Sequence, residues 1–318
     1  MPTIGYALSS EEHGPTDLVR YARQAEEAGF THAFISDHYH PWIDRQGQSP
    51  FAWTVLGAIA QVTSRLRVGT GVTCPLIRYH PAIIAQAAAT AAAMMPGRFM
   101  LGVGTGENLN EHIVGYGWPP AHARLEMLDE ALQVIRLLWQ GGSQSYEGQY
   151  YTVHQARVYT LPDQPPPILV AASGSQSARL AGRLGDGLIS TAPKAELVHE
   201  FDAAGGAGKP RYGQLHVCWA PDEATARRMG RELWPTAALK GELGQELPLP
   251  RHYEQAAQLV DEDDIAQALV CGPDPERHIA AIQQFADAGY DHVYIHQVGP
   301  DQEGFFRFYQ REVLPRFQ

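Results

Sequence analysis

Short apolar runs alternate with amphipathic stretches along this chain, and the alternation predicts helices packed on a parallel sheet. Ile4–Leu8 reads as a first strand. Thr16 then caps a helix that places Leu18, Tyr21, Ala22, Ala25 and Ala28 on one face, and Gly29 stops it. Ala33–Ser36 is the second strand, Phe51–Val62 a helix and Leu66–Thr70 the third strand. Pro81 opens the next helix at its first position, and Pro96-Gly97 closes it. Phe99–Val103 is the fourth strand, followed by a long helix over Leu125–Trp139. Ile168–Ala171, Gly187–Ser190, Leu215–Trp219 and Val293–His296 complete the strand set.

A closed barrel is favoured over an open sheet. Glu27-Ala28-Gly29-Phe30-Thr31-His32-Ala33-Phe34-Ile35 recurs near the other end as Asp287-Ala288-Gly289-Tyr290-Asp291-His292-Val293-Tyr294-Ile295. Each copy is a helix end, a glycine stop, an aromatic residue and a strand, as a repeated unit would give. The fold class expected is a (β/α)8 TIM barrel with insertions at its C-terminal face, and residues 1–318 form one domain. One insertion, near 141–162, alternates polar and apolar residues about Glu147-Gly148 and predicts a β-hairpin. Another, near 235–262, is rich in Leu, Pro, Gly and Glu and has no strand signal. Such insertions shape the mouth of a barrel.

Composition narrows the partners. The formal net charge of -11 argues against nucleic acid or an anionic membrane. Cys74, Cys218 and Cys271 are scattered and form no CxxC pair, which fits reduced thiols in a cytoplasmic protein. MPTIGYALSSEEHGP has no basic region leading into an apolar run, so no signal peptide is expected. The most apolar stretch, Pro81–Met95, is too short to span a bilayer.

Barrel chemistry sits just after the strands. Ser36-Asp37-His38-Tyr39-His40-Pro41-Trp42 follows the second strand and brings an imidazole base beside an indole wall. Its ordinary alternative is a loop whose histidines only cap or pair. Zinc is discounted, because His38 and His40 are two apart in a loop with no cysteine joining them. Gly102-Val103-Gly104-Thr105-Gly106-Glu107 follows the fourth strand, where glycines let backbone amides approach a ligand. No GxGxxG is present, so a nicotinamide dinucleotide is a weak reading. Ser173-Gly174-Ser175 precedes a helix starting near Ser177, where amides could hold an anion or a serine could simply cap.

These motifs together resemble the coenzyme F420-dependent branch of the luciferase-like oxidoreductases, which includes glucose-6-phosphate and secondary-alcohol dehydrogenases. The residues that carry the resemblance are IGYALSSEE (4–12), SDHYHPW (36–42), VGTGVTCPLIRYHPAIIAQ (68–86), LGVGTGENLNE (101–111), LLWQGG with YEGQYYTV (137–153) and AGRLGDGLIST (181–191). The resemblance implies a homodimer of barrels that binds the deazaflavin coenzyme F420 and transfers a hydride to or from an alcohol or sugar. It implies His38 as base, Trp42 as a charge-stabilising wall and Glu107 as the proton partner of the cofactor. Asp37, Cys74, Thr105, Gly106 and Asn110 are implied along the cofactor, with a cis peptide at Gly71-Val72. Ser173, Gly174, Gln176 and Ser177 are implied at its phosphate-bearing tail, and Glu11, Thr191 and Lys194 at the substrate.

One departure concerns substrate phosphate. Thr191 and Lys194 match two residues of the sugar-phosphate site, but its other Lys and Arg fall on Gly244 and Ala268. A dianion wants several charge-assisted donors. His216 and Lys240 are the remaining candidates to supply them. A neutral alcohol or sugar would instead be held by Glu11, Trp42, Trp219 and the insertion near residue 240. The competing readings are an FMN-dependent monooxygenase or reductase on the same barrel, and a cofactor-binding protein without catalysis.

Overall fold

The apolar runs become eight parallel strands: β1 (Thr3–Leu8), β2 (His32–Ile35), β3 (Arg67–Thr70), β4 (Phe99–Val103), β5 (Ile168–Ala171), β6 (Gly187–Ser190), β7 (Arg211–Cys218) and β8 (His292–Gln297). The computed structural model describes residues 1–239 and 241–318, so Lys240 lies outside the described residues. Each strand pairs with the next, Ser190 meets Gly213 between β6 and β7, and Ile4 meets Val293 where β8 returns to β1. The ring is therefore closed, a (β/α)8 barrel. Strand alternation sends Ala7, Phe34, Met100, Leu169, Ile189, Tyr212 and Tyr294 into the barrel interior. Their neighbours Tyr6, Leu8, Ile35, Leu101, Val170, Leu188 and Val293 face the helices. Both strand faces are buried, which is why the runs read as continuously apolar.

The surrounding helices are α1 (Pro15–Ala28), α2 (Ala52–Val62), α3 (Pro81–Met94), α4 (Ala121–Leu138), α5 (Ser175–Leu184), α6 (Ala195–Phe201), α7 (Glu223–Leu233), α8 (Pro275–Asp287) and α9 (Gln302–Phe308). Some boundaries differ from the sequence reading. Gly14, not Thr16, precedes α1, because Pro15 takes the first helical position and draws Thr16 into the first turn. Gly29 does end that helix in the left-handed region, at φ 102°. Helix α5 begins at Ser175, two residues early, and Ser177 lies inside its first turn. Strand β7 begins at Arg211 rather than Leu215, since polar Arg211 and Gln214 hid its first half. A two-residue strand, Val270–Cys271, adds to the end of β7 and is too short to show as a pattern.

The insertion near 141–162 holds a hairpin, with Gln144–Glu147 antiparallel to Thr152–Ala156. Buried Glu130 on α4 anchors it by accepting the backbone N–H groups of Gln149, Tyr150 and Tyr151. The insertion near 235–262 is short helical pieces at Pro235–Ala238, Leu243–Glu246 and Pro250–Ala257, with Glu262–Ala268 following. Among the described residues no helix is long and apolar enough to cross a membrane, and no cluster of His, Cys, Asp and Glu could hold a metal ion.

Candidate active site at the C-terminal mouth

The loops after the strands and the 235–268 segment enclose a cavity of about 750 Å³. Its floor is the top interior layer of the barrel, including Phe34, Ile189 and Tyr294. His38 stands in its wall because β2 ends at Ile35 and the chain turns inward over the mouth. The loop is pinned: the Ser49 hydroxyl donates to the His38 carbonyl, and Asn110 Oδ1 accepts the amides of Tyr39 and His40. Trp42 meets the His38 ring edge-on, 5.1 Å between centroids, and its far side packs edge-on to Tyr253.

The two ring nitrogens of His38 face different carboxylates. Glu11 Oε1 lies 3.2 Å from Nδ1, close in charge but out of line for a good hydrogen bond. Glu107 Oε2 lies 4.0 Å from Nε2. Burial alone would raise the Glu11 carboxyl, but His38 and the hydroxyl of Ser36, which donates at 2.7 Å, hold it below its ordinary value. Glu11 is thus an ionised carboxylate, 2% exposed, beside the imidazole. Glu107 is more open, with 29% of its side chain exposed, and accepts from Asn110 Nδ2 at 3.3 Å.

The β3 and β4 loops build the adjoining wall. The Gly71–Val72 peptide is cis. A Cβ on Gly104 would lie 2.8 Å from Val72 Cγ2. Gly106 has φ 74°, and a Cβ there would lie 2.6 Å from Cys74 Sγ. Only glycine gives this wall its shape.

Behind it lies a buried ionic brace. Asp37 accepts from Thr73 Oγ1, Tyr79 OH and Arg78 Nη2, while the backbone N–H and Nε of Arg78 donate to Glu111. All three charged side chains are 7% exposed or less. Removing one member of such a network typically costs about 3–5 kcal/mol, because the others are left buried and unpaired.

The profile of the luciferase-like monooxygenase family matches residues 2–292. The chain belongs to that family. It is 40% identical over 327 residues to an F420-dependent glucose-6-phosphate dehydrogenase of Microbacterium testaceum, covering 99% of this chain and 97% of the relative. A protein of the same description from Beutenbergia cavernae is 38% identical over 100% of this chain and 98% of that one. Among solved structures, an F420-dependent secondary alcohol dehydrogenase in complex with an F420-acetone adduct superposes with TM-score 0.93 at 31% identity, covering 100% of this chain and 99% of that one. The coenzyme F420-dependent tetrahydromethanopterin reductase of Methanopyrus kandleri, at 23% identity and TM-score 0.81, shares the fold.

In this luciferase-like barrel, most residues singled out from sequence meet in one place. Glu11, His38, Trp42, Gly71, Val72, Thr105, Gly106, Glu107, Ser173, Gly174, Gln176, Ser177 and Thr191 all line the cavity. Four others do not. Asp37 and Cys74 sit behind the wall, one in the ionic brace and one beneath Gly106. Asn110 is 1% exposed and orders the His38 loop and Glu107 from behind. Lys194 is an exposed residue at the start of α6, outside the cavity lining. Trp219 is also outside it and stacks on Phe308. His216 does line the cavity, but burial first, and neighbouring His296 second, push it down to about 3, so it is no cation for a phosphate.

Two features escaped the sequence reading. One is the Arg78 brace, whose partners are 33 and 41 residues away in sequence. The other is the polar set around His216 on the last two strands: Gln214, Tyr294 and His296, none of them singled out from sequence, face the cavity with it. The signal for it was present in the inward alternation of β7 and β8.

Proposed function

We propose that this protein is an F420-dependent oxidoreductase that moves a hydride between the carbinol carbon of an alcohol or sugar and the deazaflavin, with His38 as base. The observation that carries the reading is His38 itself. One nitrogen lies beside a buried carboxylate, and the other faces the cavity and Glu107. That is the arrangement of a positioned general base.

The residues present fit the cofactor. At Gly104 and Gly106 an added Cβ would run into Val72 and Cys74, so the glycines let this part of the cavity wall close without side chains, a surface that suits a flat ring system. The amides at the start of α5, with Ser173, Gly174 and Gln176, suit a phosphate-bearing tail. When bound, the deazaflavin supplies the hydride acceptor, at C5. The protein does the rest. The Glu11 charge beside Nδ1 favours the proton on that nitrogen, which leaves the Nε2 lone pair to take the hydroxyl proton as the carbinol hydrogen departs. Glu11, already ionised, stabilises the imidazolium that results. Trp42 holds the ring in place and keeps water from it. Glu107 exchanges a proton on the cofactor side, with Asn110 fixing its orientation.

The cavity wall supports a neutral substrate. Gly244 and Ala268 both line it and offer no charge. Among the described residues Arg124 is the one Lys or Arg in the lining; its Nη groups donate to Pro119, Gln245 and Glu246 and it pairs with the Glu246 carboxylate, while its Nε has no partner. An unphosphorylated alcohol or sugar is therefore the favoured substrate class.

Titration by tryptophan quenching tests the cofactor assignment, since Trp42 and Trp234 line the cavity. Tight quenching by the deazaflavin and weak quenching by FMN are expected. Purification with stoichiometric FMN, or silence on deazaflavin addition, would overturn it and favour the flavin-using alternative.

A further inference from the structure

The cavity contains a second imidazole chain that the proton transfer at His38 does not use. Strands β7 and β8 run in register with His216 directly across from His296. Both occupy inward positions two residues beyond Gln214 and Tyr294. His296 Nε2 lies 2.9 Å from Glu12 Oε2, and the other Glu12 oxygen accepts the Gly299 N–H at 3.0 Å. His296 Nδ1 lies 2.8 Å from His216 Nδ1. The Trp234 ring packs edge-on against His296, 4.4 Å between centroids. Consecutive carboxylates thus serve different histidines, Glu11 beside His38 and Glu12 beside His296.

Proton placement along this chain follows from donor and acceptor rules. A carboxylate only accepts, so His296 Nε2 carries a proton. The 2.8 Å contact between the two Nδ1 atoms needs one proton between them. The placement that leaves both rings uncharged has His216 Nδ1 supply it. Burial keeps His216 neutral, so its Nε2 is left with a bare lone pair. Among the described residues no group donates to that nitrogen, and the residue lines the cavity.

We propose that His216 Nε2 is a fixed hydrogen-bond acceptor that selects substrates carrying a second hydroxyl besides the carbinol that reacts. This rests on the alcohol-oxidising reading and narrows it to polyols and sugars. His296 and Glu12 are positioning residues that set the tautomer. A site built to bond a hydroxyl rejects analogues lacking it, because its own polar group is left unpaired.

The test has two arms. In the first, nitrogen NMR of histidine-labelled protein, assigned with the His216→Gln variant, reads the tautomer without any catalysis. The Nδ1-protonated form is expected for His216, with an Nε2 resonance that moves on adding glucose but not 2-propanol. In the second, His216→Phe should lose about 10- to 100-fold in kcat/KM for a sugar, mostly in KM, and no more than about threefold for 2-propanol. His216→Gln, whose amide oxygen can accept, should recover part of the loss. An Nε2-protonated His216, equal resonance movement with both ligands, or equal kinetic losses would overturn the proposal. If no alcohol reduces the deazaflavin, the functional reading fails, while the nitrogen resonances still decide this one.

Discussion

Restoring the missing cations should convert this enzyme toward phosphate esters. Gly244→Lys and Ala268→Arg, made together, place two positive charges on the cavity wall. The first is sterically free: no heavy atom lies within 4 Å of the position a Gly244 Cβ would take. It also removes a glycine from the helical piece Leu243–Glu246. A hydrogen bond to a charged group contributes about 1.5–3 kcal/mol, or roughly 10- to 100-fold in binding. Two would give about 100- to 10,000-fold if additive, but neighbouring charges on one phosphate couple. A gain of about 30-fold is therefore the conservative expectation. The quantity to measure is kcat/KM for glucose 6-phosphate over that for glucose, followed by loss of the oxidised deazaflavin absorbance. The native enzyme should favour the neutral sugar, and the double variant should raise the ratio, with a gain that shrinks as salt is added. A native enzyme that already prefers glucose 6-phosphate and loses that preference in Lys194→Ala would refute the reasoning. So would a double variant that folds, binds cofactor normally and gains less than about threefold.

His38→Ala should leave deazaflavin affinity nearly intact and lower turnover at least about 100-fold, the scale for a general base; near-normal turnover in single-turnover assays would remove His38 from that role. Stability should fall on the acid side. His32, His216 and His278 are held neutral by burial, the last two down to about 3 and about 4, so between about pH 6.5 and 4 the unfolded chain binds protons that the folded one refuses. Glu111, which burial raises to about 7 against the pull of Arg78, works in the opposite sense over part of that window, while His13, His80 and His292, also lowered by burial, act with the first three. The thermal midpoint should therefore drop as pH falls from 6.5 toward 4, less steeply in His278→Gln; a flat native profile, or parallel slopes, would contradict it.

Much of this site was legible in the chain because its elements are local. A strand followed by His38 and Trp42, a glycine-rich strand end at 102–106 and a Ser-Gly-Ser helix start each need only a few consecutive residues to be seen. Barrel geometry then brings them to one mouth. Boundaries were less legible where two local rules competed, as at α1, where Pro15 overrode Thr16. Polar residues inside strands also misled, and the first half of β7 was hidden by Arg211 and Gln214.

By itself, the sequence determined the order of strands and helices, the closed parallel sheet and the residues at the loop ends, since hydrophobic periodicity and turn chemistry are short-range. Tertiary structure alone decided which of those side chains share a cavity and which stand behind it. Asp37 and His38 are neighbours in the chain, yet one is locked to Arg78 and the other faces the cavity. Glu11 and Glu12 are likewise adjacent, yet each serves a different histidine, and His296 is 284 residues from its carboxylate. Burial, the direction of a side chain and the partner across a closed ring depend on contacts between distant segments, and no local pattern encodes them.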